Sequence, residues 1–193
     1  QKPQSSRKSN GKLREILGGY TETESQPNEK SGRLTDQTEI SGIFIVQNRT
    51  KAGIRPHQKS IKRFKDKIRE LTSRKQARSV EMILKRLKRY TTGWLGYYSI
   101  ADMESHIKRL NEWIRRRIRQ IYWKQWKKIK TKHDNLVRLG INNSKAWEWA
   151  NSRKAYWRIA DSYILHRSLT NEYLASVGYD DILNRYKVLH SNY

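Results

Sequence analysis

One stretch in the middle of this sequence limits the fold more than any other. Ile107, Leu110, Ile114, Ile118 and Ile121 recur at helical spacing. At 100° per residue, Ile114, Ile118 and Ile121 fall within about 40° of Ile107. A helix with so continuous an apolar stripe has to bury it against other elements. Two further stripes precede it. Ile61, Phe64, Ile68 and Leu71 repeat behind Pro56, with Ser60 as a candidate N-cap. Ser79 can cap a second helix with Val80, Ile83, Leu84, Leu87, Thr91, Trp94, Leu95 and Tyr98 on one side, and Lys85, Arg86, Lys88 and Arg89 mostly on the other. Gly93 and Gly96 sit near its end, where each costs about 1 kcal/mol against Ala, so they predict close helix packing. Asp102 is the candidate cap of the long third helix. After Gly140 the spacing predicts shorter helices at about 144–159, at 171–177 behind Thr170 and closing at Gly178, and at 181–189 behind Asp180. No alternating strand pattern follows residue 50, so the class is all-α: three main helices, then several short ones.

The first fifty residues have a different character. They are rich in Ser, Thr, Gln, Asn, Glu and Gly, with one short apolar run, Ile43-Phe44-Ile45-Val46. So little apolar surface does not offset chain entropy, and residues 1–52 read as a disordered segment. The helical part divides into 53–132 and a smaller region at 133–193.

Charge follows the same division. Residues 1–50 carry eight basic and six acidic residues, whereas 51–193 carry 34 and 12, net +22. Between 61 and 132 alone there are 23 basic and six acidic residues, a net +17 that would repel itself without a polyanion. Cysteine is absent, which excludes disulfides, thiolate metal sites and a cysteine nucleophile. No run approaches the ~20 apolar residues of a membrane span, and no apolar leader follows the N-terminus, so the reading is a soluble protein of a reducing compartment.

Catalytic patterns are missing. The five histidines, at 57, 106, 133, 166 and 190, form no pair at i,i+3 or i,i+4, so no metal site is expected. There is no phosphate-binding glycine loop and no nucleophile elbow. Tyr179-Asp180-Asp181 invites comparison with paired polymerase aspartates, but Gly178 and the helix start point to an N-cap with a first-turn acid. No cofactor, catalytic residue or small-molecule substrate is expected.

The positive signal is cations interleaved with aromatics. All seven tryptophans lie between Trp94 and Trp157. On the third helix Arg116, Arg119, Trp123 and Trp126 fall about 100° to 180° from Ile107, on the charged side. That mixture suits phosphate contacts and stacking on splayed bases. It equally suits a second small core with cations stacked over it. Arg153-Lys154-Ala155-Tyr156-Trp157-Arg158 repeats the mixture.

Several blocks also resemble a known family. Ile54-Arg55-Pro56-His57-Gln58-Lys59-Ser60, Gly93-Trp94-Leu95-Gly96-Tyr97-Tyr98, Glu112-Trp113-Ile114-Arg115-Arg116-Arg117, Tyr122-Trp123-Lys124-Gln125-Trp126-Lys127-Lys128 and Leu169-Thr170-Asn171 appear in order. They are similar to the maturase-specific (thumb or X) domain of bacterial group II intron reverse transcriptases, over about 54–189. The resemblance implies a thumb-like helical bundle followed by a small RNA-binding region. It implies intron RNA as partner, assistance to RNA folding and splicing, and a bacterial cytoplasmic location. Carried over residue by residue, it places Lys59, Lys62, Arg63 and Arg69 on the first helix. Arg115, Arg116, Arg119, Lys124, Lys127 and Lys128 follow on the long one, and Arg153, Lys154 and Arg158 in the C-terminal cluster. Trp123, Trp126 and Tyr156 join them as stacking candidates.

The departures from the family matter as well. Its polymerase fingers and palm, with their aspartates, have no counterpart here, so the chain is expected not to be an enzyme. Residues 1–49 do not match what normally precedes the thumb. Codons for 36–46 can be chosen so that a one-nucleotide shift reads T-K-L-K-F-L-G-F-S-L, and codons for 19–30 can give G-T-L-K-L-K-V-N-Q-T-K. Both strings look like the family upstream of the thumb, so the segment also reads as a frame-shifted remnant. The alternatives to a maturase module are a truncated retroelement remnant with generic polyanion affinity and, less favoured, a helix-turn-helix DNA-binding protein. A membrane-surface role is disfavoured because the stripes are needed for the bundle core. Oligomeric state stays open.

Overall fold

The long stripe becomes the spine of the molecule. A computed structural model describes residues 37–40, 43–47 and 52–192, with side chains from Ile54 onward. Residues 1–36 lie outside the described residues, and with them most of the segment read as disordered or frame-shifted. Helix α1 is Gln58–Leu71, α2 Val80–Tyr98 and α3 Glu104–Gln125. Six shorter helices follow: α4 Ile129–Arg138, α5 Asn143–Ala150, α6 Tyr156–Ile159, α7 Tyr163–Ser168, α8 Asn171–Ser176 and α9 Ile182–His190. Helix dominates the described chain, with three main helices and then short ones. Three short strands precede them: β1 Gln37–Ile40, β2 Ile43–Gln47 and β3 Ala52–Pro56. They form an antiparallel sheet in the order β1-β2-β3, with Thr38 opposite Ile45 and Ile45 opposite Ile54. The apolar run of 43–46 thus lies in a central strand, paired on both sides, where sequence reading expected no regular structure. Neighbouring strands supply the backbone hydrogen bonds that its local composition could not predict.

The apolar stripes meet in a first core. Phe64 and Ile68 of α1, Val80, Ile83, Leu84, Leu87 and Leu95 of α2, and the whole α3 stripe are buried together. Leu174 of α8, Tyr179, and Ile182 and Tyr186 of α9 complete it, so the chain returns to this core after leaving it for some fifty residues. A second core forms where α3 ends. Trp123, Trp126, Leu136, Ile141, Ala146, Ala150, Ile159, Leu165 and Leu169 are its buried members, drawn from the end of α3 and from α4 to α7. Tyr122 and Tyr173, 6.1 Å apart between ring centroids, pack against both cores.

Local chemistry explains most boundaries. Ser79 caps α2 by accepting from the Met82 N–H, and Thr170 caps α8 by accepting from Tyr173. Gly178 follows α8 with φ +99°, a backbone that L side chains rarely adopt. Three other expectations need correcting. Helix α1 starts earlier than Ser60, because His57 Nδ1 accepts from the Lys59 N–H and fixes the first turn. Asp102 does not cap α3; its backbone N–H donates to Ile54 O at 2.9 Å, and its carboxylate faces His190 at 3.5 Å. Asp181, not Asp180, caps α9 through the Leu183 and Asn184 N–H groups. Gly93 and Gly96 depart further from expectation: an added Cβ at either would meet nothing within 4 Å, and both face outward. Close helix packing is therefore not what they serve.

Candidate nucleic-acid interface

Burial of Ile61, Phe64, Ile68 and Leu71 turns the rest of α1 outward, so Lys59, Lys62, Arg63 and Arg69 are exposed. The cations of α3 fare differently, because short helices fold over the far side of its C-terminal half. Arg119 is buried at 3% exposure; its Nε donates to Leu169 O at 2.9 Å and its Nη2 to Asn171 Oδ1 at 3.0 Å. Burial, followed by the neighbouring Arg115, lowers its guanidinium to about 10, which leaves it charged at neutral pH. Trp123 and Trp126 are buried with it in the second core, at 1% and 8% exposure. Burial in a second core, the alternative read from the sequence, leaves these two rings and Arg119 little exposed surface to offer RNA. They lie off the first stripe because α3 is buried on two sides here, each side facing a different core.

Other α3 cations are half-buried and answered by acids. Arg115 pairs with Asp181 at 3.2 Å, and the same carboxylate accepts from Asn111 at 2.8 Å. Tyr179 is buried and donates to Asn111 Oδ1 at 2.6 Å, while Asp180 faces Arg185 at 2.8 Å. Tyr179-Asp180-Asp181 is thus consumed in capping α9 and tying it to α3. Among the described residues, no group of three or more metal-ligating side chains comes together.

Three segments meet on the remaining face. Arg117 donates to Thr72 Oγ1 and, at 3.3 Å, to Arg69 O. Lys124 donates to Arg74 O at 2.5 Å and Gln125 to Arg78 O at 2.8 Å. These bonds hold the α1–α2 connection along α3. Arg116 pairs with Asp161 at 2.9 Å, donates to Trp157 O at 2.9 and 3.2 Å, and lies 4.0 Å from the centre of the Trp157 ring. Arg74 lies 5.2 Å over Tyr156. The outcome is a surface on which exposed Tyr156 and Trp157 are each backed by a guanidinium, flanked by exposed Arg74, Lys75, Arg78, Lys124, Arg153, Lys154 and Arg158. Lys127 and Lys128 are exposed where α3 passes to α4. Trp113 carries a second such arrangement, with Arg69 at 5.7 Å and Arg117 at 5.3 Å from its ring centre. Burial, then Arg69 and Arg74, lowers the Arg117 guanidinium.

Sequence reading missed Arg74, Arg117 and Trp113 as parts of this surface, and placed Trp157 only within the Arg153–Arg158 cluster. Arg74, Lys75 and Arg78 were visible as a basic run between two helices, a signal that gains meaning only once Lys124 and Gln125 anchor the run. Among the described residues no helix is long and apolar enough to cross a membrane.

Residues 61–140, which take in most of α1, the basic α1–α2 connection and α2 to α4, match the family model described as Group II intron, maturase-specific domain. No curated protein matches the chain.

Proposed function

We propose that this chain, whose residues 61–140 match the group II intron maturase-specific domain, is an RNA-binding module that grips structured intron RNA and helps it fold for splicing. One observation carries the reading: the face joining Arg74, Lys124, Tyr156 and Trp157 presents aromatic rings backed by cations, with further exposed cations around them. Cations alone would bind any polyanion. Rings held open beside phosphate-binding groups suit unpaired bases in loops and bulges, which is where folded RNA differs from plain duplex. The maturase-specific domain is not the polymerase part of such proteins, and the module needs no chemistry of its own to stabilise an RNA fold.

Binding of the full chain to a folded group II intron RNA, against a scrambled RNA of equal length across rising salt, tests this. Neutralising six to ten phosphates costs about 10³–10⁵ in affinity between 50 and 200 mM salt for either ligand. The proposal expects the intron to keep a large advantage as salt rises. Coincident curves would leave charge alone and reduce the chain to a general polyanion binder.

A further inference from the structure

Between α1 and the start of α3 lies a small cleft away from the Tyr156–Trp157 face, lined by Lys65, Arg69, His106, Arg109, Leu110 and Trp113. Lys65 and Arg69 are one turn apart on α1. His106, Arg109 and Trp113 lie at i, i+3 and i+7 on α3, so both helices turn the same chemistry toward one gap. Leu110 and Trp113 supply an apolar floor, and no carboxylate lines the cleft.

Two features set these groups apart from the other cations of α3. Arg115 and Arg116 have acidic partners, whereas Lys65 and Arg109 pair with no carboxylate among the described residues. In addition, His106 Nε2 is buried without any hydrogen-bond partner. A buried polar nitrogen left unpaired is costly, and an oxygen brought to it would relieve that cost. Burial first, then Lys65 and Arg109, push the His106 imidazole down from its ordinary pKa. A bound anion would act in the opposite direction on the imidazole.

We infer that this cleft binds one phosphate group of the RNA strand, with Lys65 and Arg109 neutralising it, His106 Nε2 donating to a phosphate oxygen, and Trp113 packing beside the attached nucleoside. This depends on the RNA-binding reading only for the source of the phosphate. The cleft's affinity for a phosphate ion is a separate property.

Two readouts on the full chain keep the two claims apart. The first follows the histidine ring signals by NMR during titration with inorganic phosphate, at ionic strength held constant with chloride. His133 and His166, which lie outside the cleft, serve as internal references. The expected result is a saturating shift of the His106 ring and a rise in its pKa, absent from the references and abolished in Lys65→Gln/Arg109→Gln. A His106 response no larger than that of the references overturns the site, whatever the chain does with RNA. The second readout is the salt dependence of RNA binding. Each phosphate contact contributes about 1 to the slope of log affinity against log salt. Two cations sharing one phosphate predict that Lys65→Gln/Arg109→Gln loses about 1 in total; a loss of about 2 means separate phosphates and overturns the shared site. Comparing a short oligonucleotide bearing a 5′-phosphate with its 5′-hydroxyl form identifies the source. A His106 shift confined to the first assigns a terminal phosphate, and equal shifts assign the internal backbone. No shift with either, while inorganic phosphate still binds, overturns the strand as the source.

Discussion

The hydroxyl of Tyr186 stands where a capping side chain would. Helix α3 begins at Glu104 with no side-chain cap at Met103, yet the Met103 N–H donates to Tyr186 Oη at 3.1 Å, and that hydroxyl donates to Ala101 O at 2.8 Å. Phenylalanine would fill the same space and leave both backbone groups buried and unpaired. Tyr186→Phe should therefore lose about 1–3 kcal/mol of unfolding free energy by urea denaturation, with RNA affinity unchanged under conditions where both proteins are folded. His106 gives a second residue-scale expectation. Its folded pKa lies below the unfolded value of about 6.5, so near and below that pH the unfolded chain holds more protons than the native one. Stability should fall as pH drops from about 6.5 toward the folded pKa, and His106→Gln should flatten that part of a thermal-unfolding profile against pH. At this scale the sequence was partly legible. Ser79 and Thr170 cap as read, because the acceptor lies right before an apolar repeat. Asp102 failed because its backbone and carboxylate are claimed by partners distant in sequence, Ile54 and His190, and Asp180 because its carboxylate turns to Arg185 within the following helix while Asp181 takes the cap.

Among the elements, α3 does three things along one length. One side closes the first core from Ile107 to Ile121, its middle presents Trp113 and Arg117 on another side, and its end anchors the second core through Trp123. The two indole environments predict opposite phenotypes. Trp123→Ala should cost about 3–5 kcal/mol of stability by opening a cavity. Trp157→Ala should leave the unfolding transition nearly in place but weaken RNA binding by about 1–3 kcal/mol, the worth of one stacked base. Calorimetric unfolding and a filter-binding isotherm on both variants check the contrast; equal losses of stability would remove Trp157 from the interface. The stripes of α1, α2 and α3 were readable because one period governs each. The split between 143–150 and 156–159, and the existence of α4 and α7, were not. Their buried residues are single anchors such as Leu136 and Leu165, too few to establish a period.

For the whole molecule, charge and packing are distributed by different rules. Acids are spent where α9 and the 155–161 stretch meet α3, at Asp181 and Asp161, and within α1, where Asp66 pairs with Arg69 and Glu70 with Lys67, while Lys62 and Arg63 of α1 and the cations of the α1–α2 connection stay exposed. Substituting Lys62 and Arg63 by Gln should thus lower the salt slope of RNA binding by about 2, one per lost phosphate contact, with affinity for intron and scrambled RNA falling in parallel. An intron-selective loss would instead give this face a recognition role. Overall basicity and helix class were evident from composition. Which cations are used up internally was not, since that depends on pairings across 40 to 70 residues.

The return of α9 to the first core also sets a timetable. Residues 101 and 186, joined through one hydroxyl, are separated by 85 positions. A ribosome adding about 5–20 residues per second needs roughly 4–17 s to cover that distance. During that interval the α2 and α3 surfaces that α8 and α9 will cover stay open to water and to other nascent chains. Chaperone dependence during synthesis should accordingly be set by how quickly the ribosome crosses the codons between α3 and α9.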